Sequence, residues 1–214
     1  MAAVFITGAT GYMGTRLCRE LTVRGHRVRG LARPGSEGRL AAGCEAASGN
    51  ALDAASYRDA VAGCDTLVHL VGVAHPSPSK AAEFRSVDLV SAREAVAASV
   101  HAGIRHLVYV GVAHPAPAMR AYIAARREAE DAVRASGIAA TVLRPWYVLG
   151  PGHRWPYALL PAYWLFEALP ATRESAQRLG LVTLAQMIGA LAAAVENPPQ
   201  GVRVVGVPEI RSVR

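Results

Sequence analysis

Residues 7–14, Thr-Gly-Ala-Thr-Gly-Tyr-Met-Gly, constrain this chain more than any other stretch. They follow the apolar run Ala3-Val4-Phe5-Ile6, which reads as a buried strand, and they open residues 12–24, which read as an amphipathic helix. Glycines at 8, 11 and 14 sit at the turn between the two. Gly8 permits a tight turn, Gly11 lets a ligand reach the backbone with no Cβ in the way, and Gly14 lets the helix pack close to the strand. The N–H groups at the start of that helix, with Thr10, Tyr12 and Met13 around them, then face an anion, and a pyrophosphate suits the place. The bland alternative is a glycine-rich turn with no ligand. Its position after a strand and before a helix argues for the ligand.

Past this turn, strand and helix patterns alternate, as in a parallel sheet. Residues 26–32, 45–48, 66–71, 106–110, 139–143 and 202–207 read as further strands. Residues 53–62, 80–101, 119–136 and 184–196 read as helices, with Gly63, Gly103 and Gly137 as stops. Prolines at 151, 156, 161 and 170 break the pattern. The expectation is one α/β domain over residues 1–214. It is a doubly wound, mainly parallel sheet of about seven strands with helices on both faces, plus a substrate-side insertion over about 146–180. Right-handed crossovers put the ligand crevice at the carboxyl ends of the strands.

Composition narrows the classes of function. The chain has 214 residues, enough for one sizeable core, and 52% are hydrophobic, which excludes a disordered chain. The net charge is +7, carried almost wholly by arginine, since Lys80 is the only lysine. The arginines are scattered, whereas nucleic-acid binding needs a clustered patch, so no nucleic-acid partner is expected. Cys18, Cys44 and Cys64 are odd in number and lack metal-ligand spacing, so they read as reduced thiols of a cytoplasmic protein. The chain starts on a strand rather than a signal peptide. Its most apolar region, residues 157–169, holds Pro161 and Glu167 and is too short to span a bilayer.

Several motifs together carry a family resemblance. The glycine turn is similar to the TGxxGxxG of short-chain dehydrogenases/reductases. Gly49-Asn50-Ala51-Leu52-Asp53, His69-Leu70-Val71-Gly72, Tyr122-x-x-x-Arg126 and Leu143-Arg144-Pro145 fall where the extended and atypical branches carry related motifs. The chain most resembles the atypical, NmrA-like group of NAD(P)-binding Rossmann proteins, well over residues 1 to about 150 and loosely beyond. The resemblance implies a dinucleotide held by Gly8, Thr10, Gly11, Tyr12, Met13, Gly14, Asn50, Ala51, Val71, Gly72 and Pro145.

The choice of dinucleotide rests on the second strand. NAD sites place an acidic residue there for the ribose 2′-hydroxyl, and this chain has Ala32-Arg33. A planar, permanently charged arginine suits a 2′-phosphate, so NADP(H) is preferred and NAD(H) is the alternative. The plain reading of Arg33 is a solvated surface side chain. Asn50 stands where the family often has an Asp that bonds the adenine amino group, and its carbonyl oxygen can accept the same bond.

The resemblance makes Tyr122 the general acid or base. A lysine expected four residues on, to hold the nicotinamide ribose, is Arg126 here. The expected serine is Gly111, which has no hydroxyl, and His114 is the substitute donor. Tyr122 as a buried aromatic with an incidental arginine is the plain alternative. His75 and His114 recur in two echoes, Val71-Gly72-Val73-Ala74-His75-Pro76 and Val110-Gly111-Val112-Ala113-His114-Pro115, which would place both at the crevice mouth. No carboxylate is spaced to complete a metal site with them, so no metal is expected.

Aromatics concentrate after Pro145: Trp146, Tyr147, Trp155, Tyr157, Tyr163, Trp164 and Phe166. They suit an apolar substrate wall contributed by Trp146, Tyr147 and Trp155, or a homodimer or partner surface over 155–169. The leading expectation is an NADP(H)-dependent atypical reductase or dehydrogenase for a small, mostly apolar carbonyl or alcohol. The rivals are a non-catalytic dinucleotide sensor or assembly protein, and an epimerase, which the short substrate region disfavours.

Overall fold

The computed structural model describes residues 1–151 and 160–213. Strand β1 (Ala3–Thr7) leads through the glycine turn into α1 (Gly14–Val23), followed by β2 (Arg27–Ala32), β3 (Cys44–Ser48), a short α2 (Arg58–Val61) and β4 (Thr66–His69). A composite helix comes next: a 3-10 turn (Pro78–Lys80), α3 (Ala81–Glu83), a π-helix (Phe84–Leu89) and α4 (Val90–Ala102). Then come β5 (His106–Val110), α5 (Arg120–Ala135), β6 (Ala139–Leu143), β7 (Tyr147–Leu149), α6 (Leu160–Ala168) and α7 (Pro170–Arg178). The chain ends with β8 (Leu181–Thr183), α8 (Leu184–Glu196), β9 (Val202–Val205) and α9 (Val207–Ser212).

Seven strands form one parallel sheet in the order β3-β2-β1-β4-β5-β6-β9. β4 and β5 are buried along their whole length, as strands covered on both faces must be. Leu17, Cys18 and Leu21 of α1 pack with Met187 and Leu191 of α8 on one face. Leu89, Ala92 and Ala95 of the composite helix pack with Ala129 and Val133 of α5 on the other. The strand order reverses between β1 and β4, so their carboxyl ends diverge and leave the crevice that such sheets use for ligands.

The architecture agrees with the sequence expectation of a seven-stranded, doubly wound Rossmann-type sheet, and the departures have local causes. The helix expected over 80–101 is interrupted by the π-helix, which buries Asp88. The strand expected over 202–207 stops at Val205. Gly206 caps a helix there, its N–H donating to Glu209 Oε2 at 2.9 Å, with Pro208 in the first turn where it needs no donor. Pro170 likewise starts α7 rather than ending order. Residues 53–62 split into a 3-10 turn at Ala54–Ser56 and α2. β7 and β8, three residues each, pair in parallel as a separate ribbon with Val148 opposite Val182.

Candidate functional site

The crevice at the carboxyl ends of β1, β4 and β5 is a cavity of about 510 Å³. The glycine turn, Gly8 to Gly14, supplies one wall. Gly72 to Pro76 form the next, and Val110 to Val112 with Tyr122 and Arg126 the floor. Pro145, Trp146, Tyr147 and Val148 close it. Gly11 is exposed, and a Cβ there would meet only the Gly8 carbonyl oxygen, at 3.1 Å. That open backbone beside a helix N-terminus suits a pyrophosphate. His75, also on the wall, is held at φ 50°, a conformation that costs energy for a non-glycine residue.

Tyr122 is half-buried on α5, one turn before Arg126. Its ring meets Phe84 edge-on with centroids 5.0 Å apart, and Arg126 Cζ lies 5.3 Å from its centroid. Arg126 is turned inward. Its Nη1 donates to the Val110 carbonyl at 2.8 Å, and its Nη2 reaches the Val71 carbonyl at 3.5 Å and Asp88 Oδ1 at 2.7 Å. Asp88 is fully buried and Arg126 nearly so. Burial works against the guanidinium charge, but Tyr122, Tyr109 and Asp88 outweigh it and hold its pKa above the ordinary value. Burial also raises the Asp88 carboxyl, against the pull of Arg126 and the Val73 N–H. Asp88 was invisible as a site residue in the sequence, lying 38 positions from its partner.

The remaining expected residues sort by position. Trp146 and Tyr147 line the crevice; Trp155, Tyr157 and the side chain of Trp164 lie outside the described residues. Burial raises the pKa of Tyr163 on α6, and neighbouring Trp146 of the crevice wall works against that rise. Further along this segment Leu165, Phe166 and Leu169 are 59%, 47% and 45% exposed. Arg33 is exposed at the end of β2, and Asn50 Oδ1 accepts the Leu52 N–H at 3.1 Å in a local turn beside half-buried Ala51. A further arginine, unremarked in the sequence, stands nearby: Arg39 Nη2 donates to the Thr10 carbonyl at 3.3 Å.

His114 does not line the crevice, which corrects the expectation that both histidines stand at its mouth. The Ala113 N–H bonds the Pro145 carbonyl at 2.9 Å and buries Val112 and Ala113. The chain then turns His114 into a separate cleft with Arg120 and Arg127. Partial burial, with Arg144 and Arg127 close by, depresses its pKa. His114 thus does not stand in for the hydroxyl missing at Gly111. Among the described residues no three His, Cys, Asp or Glu side chains cluster as a metal would require.

His69 and His106, at opposite ends of neighbouring strands, are buried and neutral. His69 Nδ1 lies 2.8 Å from Thr7 Oγ1. Burial, with Arg126 adding to it, lowers its pKa from 6.5 to about 3. Burial lowers that of His106 to about 4. Both bind protons more readily unfolded than folded, so their contribution is complete above about pH 6.5 and is lost as the pH falls toward 4 and then 3. We expect the stability of the fold to drop by several kcal/mol between pH 7 and 4, since a tenfold difference in proton affinity between folded and unfolded chains is worth about 1.4 kcal/mol. Urea unfolding at stepped pH checks this; a midpoint flat over that range would contradict it.

Known proteins are similar to this chain in sequence and in fold. The NAD(P)H-binding family matches residues 8–160. A ceramide reductase of Caulobacter vibrioides is 28% identical over 213 residues, covering 99% of this chain and 65% of that protein. The 4-hydroxy-2-methyl-3-oxo-4-farnesyl-3,4-dihydroquinoline-1-oxide ketoreductase of Stigmatella aurantiaca is 27% identical, over 68% of this chain and 50% of its own length. The chain thus spans less than two thirds of either relative. WbmH of Bordetella bronchiseptica, solved with NAD+, shares the fold with a TM-score of 0.70 at 21% identity, over 98% of this chain and 78% of that one. No helix among the described residues is long and apolar enough to cross a membrane. With the glycine turn, the switch-point crevice and a family match over most of its length, the chain belongs to the NAD(P)H-binding family, built on a Rossmann-type sheet.

Proposed function

We propose that this protein is an NADP(H)-dependent reductase or dehydrogenase acting on a mostly apolar carbonyl or alcohol. The observation that carries the reading is that one cavity holds the glycine turn, Tyr122 and the Trp146–Tyr147 wall together. The dinucleotide fits there: Gly8, Gly11 and Gly14 would take the pyrophosphate, and Gly72 and Pro145 would flank what extends beyond it. When bound, the nicotinamide supplies or accepts the hydride. Tyr122 gives its proton to the substrate oxygen in reduction and takes it back in oxidation. Trp146 and Tyr147 exclude water from the reacting carbonyl. The names of the two reductase relatives, a ceramide and a farnesylated substrate, support an apolar one here. Exposed Leu165, Phe166 and Leu169 support an apolar contact at the same end, with substrate or with a second protein.

The preference for NADP(H) is supported by Arg33 at the end of β2 and by Arg39, which Thr10 holds beside the glycine turn. NADPH is expected to bind more tightly than NADH. Arg33→Ala should lower NADPH affinity about tenfold or more, the scale of one charge-assisted hydrogen bond, and leave NADH unchanged. Titration of nicotinamide fluorescence measures both, and equal affinities in the parent would remove the preference.

A second reading is a dinucleotide-binding protein without turnover. Gly111 favours it, because the position where the resemblance places a serine hydroxyl carries no side chain. A panel of apolar ketones and aldehydes, with NADPH oxidation followed over time, separates the two readings. Tight binding without consumption of NADPH would replace the enzyme reading with the binder.

A further inference from the structure

Beneath the crevice lie buried polar side chains linked to one another directly or through a backbone carbonyl. Thr7 Oγ1 meets His69 Nδ1 at 2.8 Å, and His69 Nε2 meets Ser91 Oγ at 3.4 Å. Ser91 Oγ donates to the Asp88 carbonyl at 3.3 Å. Asp88 pairs with Arg126, and Arg126 donates to the carbonyls of Val110 and Val71. None of the five side-chain contributors is more than 7% exposed. These links therefore join the last residues of β1, β4 and β5, the three strand ends from which the crevice walls rise.

We propose that Asp88 is a positioning residue for the dinucleotide site. It binds the charge of Arg126 so that the guanidinium turns inward and clamps the crevice floor between β4 and β5, instead of reaching toward a cofactor ribose. This rests on the dinucleotide reading given above. A guanidinium this deeply buried is tolerable only with a carboxylate and further acceptors around it, and Asp88, Val110 and Val71 supply them. Asp88 also acts on the wall directly, because its Oδ2 accepts the Val73 N–H at 3.1 Å. Gly72 completes the clamp. A Cβ at this position would fall on Arg126 Nη2 and lie 3.1 Å from Asp88 Oδ1, so the wall wraps the ion pair only if residue 72 has no side chain. The π-helix is what delivers Asp88, since its wide turn lies against α5.

The test compares the parent with Asp88→Asn, Arg126→Met and the double variant. NADPH and NADH affinities are read by nicotinamide fluorescence, well below each variant's melting midpoint, and amide exchange is followed at Val73. Each single change is expected to weaken dinucleotide binding at least tenfold and to speed Val73 exchange. The double variant is expected to bind at least tenfold better than the product of the two losses, because each single change leaves a lone buried group and the double does not. Losses that simply multiply, or an Asp88→Asn variant with the parent's affinity and Val73 exchange, would overturn the proposal. Should a single variant not fold, Gly72→Ala carries the same test with both charges kept, and parent-like affinity there overturns it equally. A parent that binds neither dinucleotide would sink the cofactor reading instead. The Val73 exchange rates would then still decide for or against the clamp.

Discussion

Replacing Gly14 with alanine is expected to abolish dinucleotide binding and to destabilise the fold by about 3 kcal/mol or more, beyond the usual cost of overpacking. The added Cβ would land on the Gly8 carbonyl oxygen, 2.7 Å from Ala9 Cα and 2.8 Å from the Ala9 carbonyl carbon. Every one of these atoms is backbone, so no side chain can swing away. Relief requires α1 to lift from β1, and α1 carries fully buried Leu17, Cys18 and Leu21 into the core. The same movement takes the helix N-terminus away from the turn that would hold the pyrophosphate. Gly11→Ala is the contrast, since its Cβ meets only one atom, at 3.1 Å, and should impair binding with little loss of stability. Thermal unfolding and NADPH fluorescence on both variants check this; a Gly14→Ala protein with the parent's midpoint and affinity would show that the turn is looser than described.

Tyr122→Phe is expected to lower turnover by about 10²–10⁴-fold, the scale of one positioned acid, and to leave NADPH affinity nearly unchanged. The phenylalanine keeps the edge contact with Phe84 and the ring beside Arg126, so only the hydroxyl is lost. A variant that turns over at the parent's rate would move the acid to another group. Gly111, which lines the same cavity, offers the reverse experiment. A Cβ there has nothing closer than 3.5 Å, at Tyr109 Cε1, so a serine side chain begins in ordinary contact. Gly111→Ser is expected to raise the rate by restoring a hydroxyl beside Tyr122, and a slower or unchanged rate would show that the substrate oxygen lies elsewhere.

The features legible in the sequence were those written in local patterns. The β1–turn–α1 unit is encoded by an apolar run, three glycines and a helical stripe within 24 residues. Residues 184–196 were legible to the residue because Thr183 and Gln186 form a capping box at the start of an apolar helix. The illegible features depend on partners distant in the chain or on local geometry outside the two standard periods. Apolar spacing could not separate the π-helix from the α-helices around it, so residues 80–101 read as one helix. Pro170 read as a breaker, yet proline also starts helices, and only the following residues tell which. Arg144 belonged to a motif shared with the family, yet it serves Glu130, which it meets at 2.6 Å. The inward turn of Arg126 needed Asp88, and no spacing rule links positions 88 and 126.

The β7–β8 ribbon has a consequence for how such a chain can diversify. Residues 147–149 and 181–183 lie side by side, so the stretch between them starts and ends at one place. The returning foot is held by the elements that follow it. Thr183 caps α8 through Gln186, and Arg211 Nε on α9 donates to the Leu181 carbonyl at 2.9 Å. Lengthening an excursion whose ends are already pinned costs only about 0.6 kcal/mol for each doubling. Beyond Gly150, where a Cβ would fall on the Tyr12 hydroxyl, the stretch can therefore accept insertions, deletions or a new set of side chains while the glycine turn and the strand ends keep their places. On the function proposed above, substrate choice and dinucleotide binding become separately heritable properties of one chain: selection can rewrite the stretch beyond Gly150 while that glycine keeps its contact with Tyr12 of the turn.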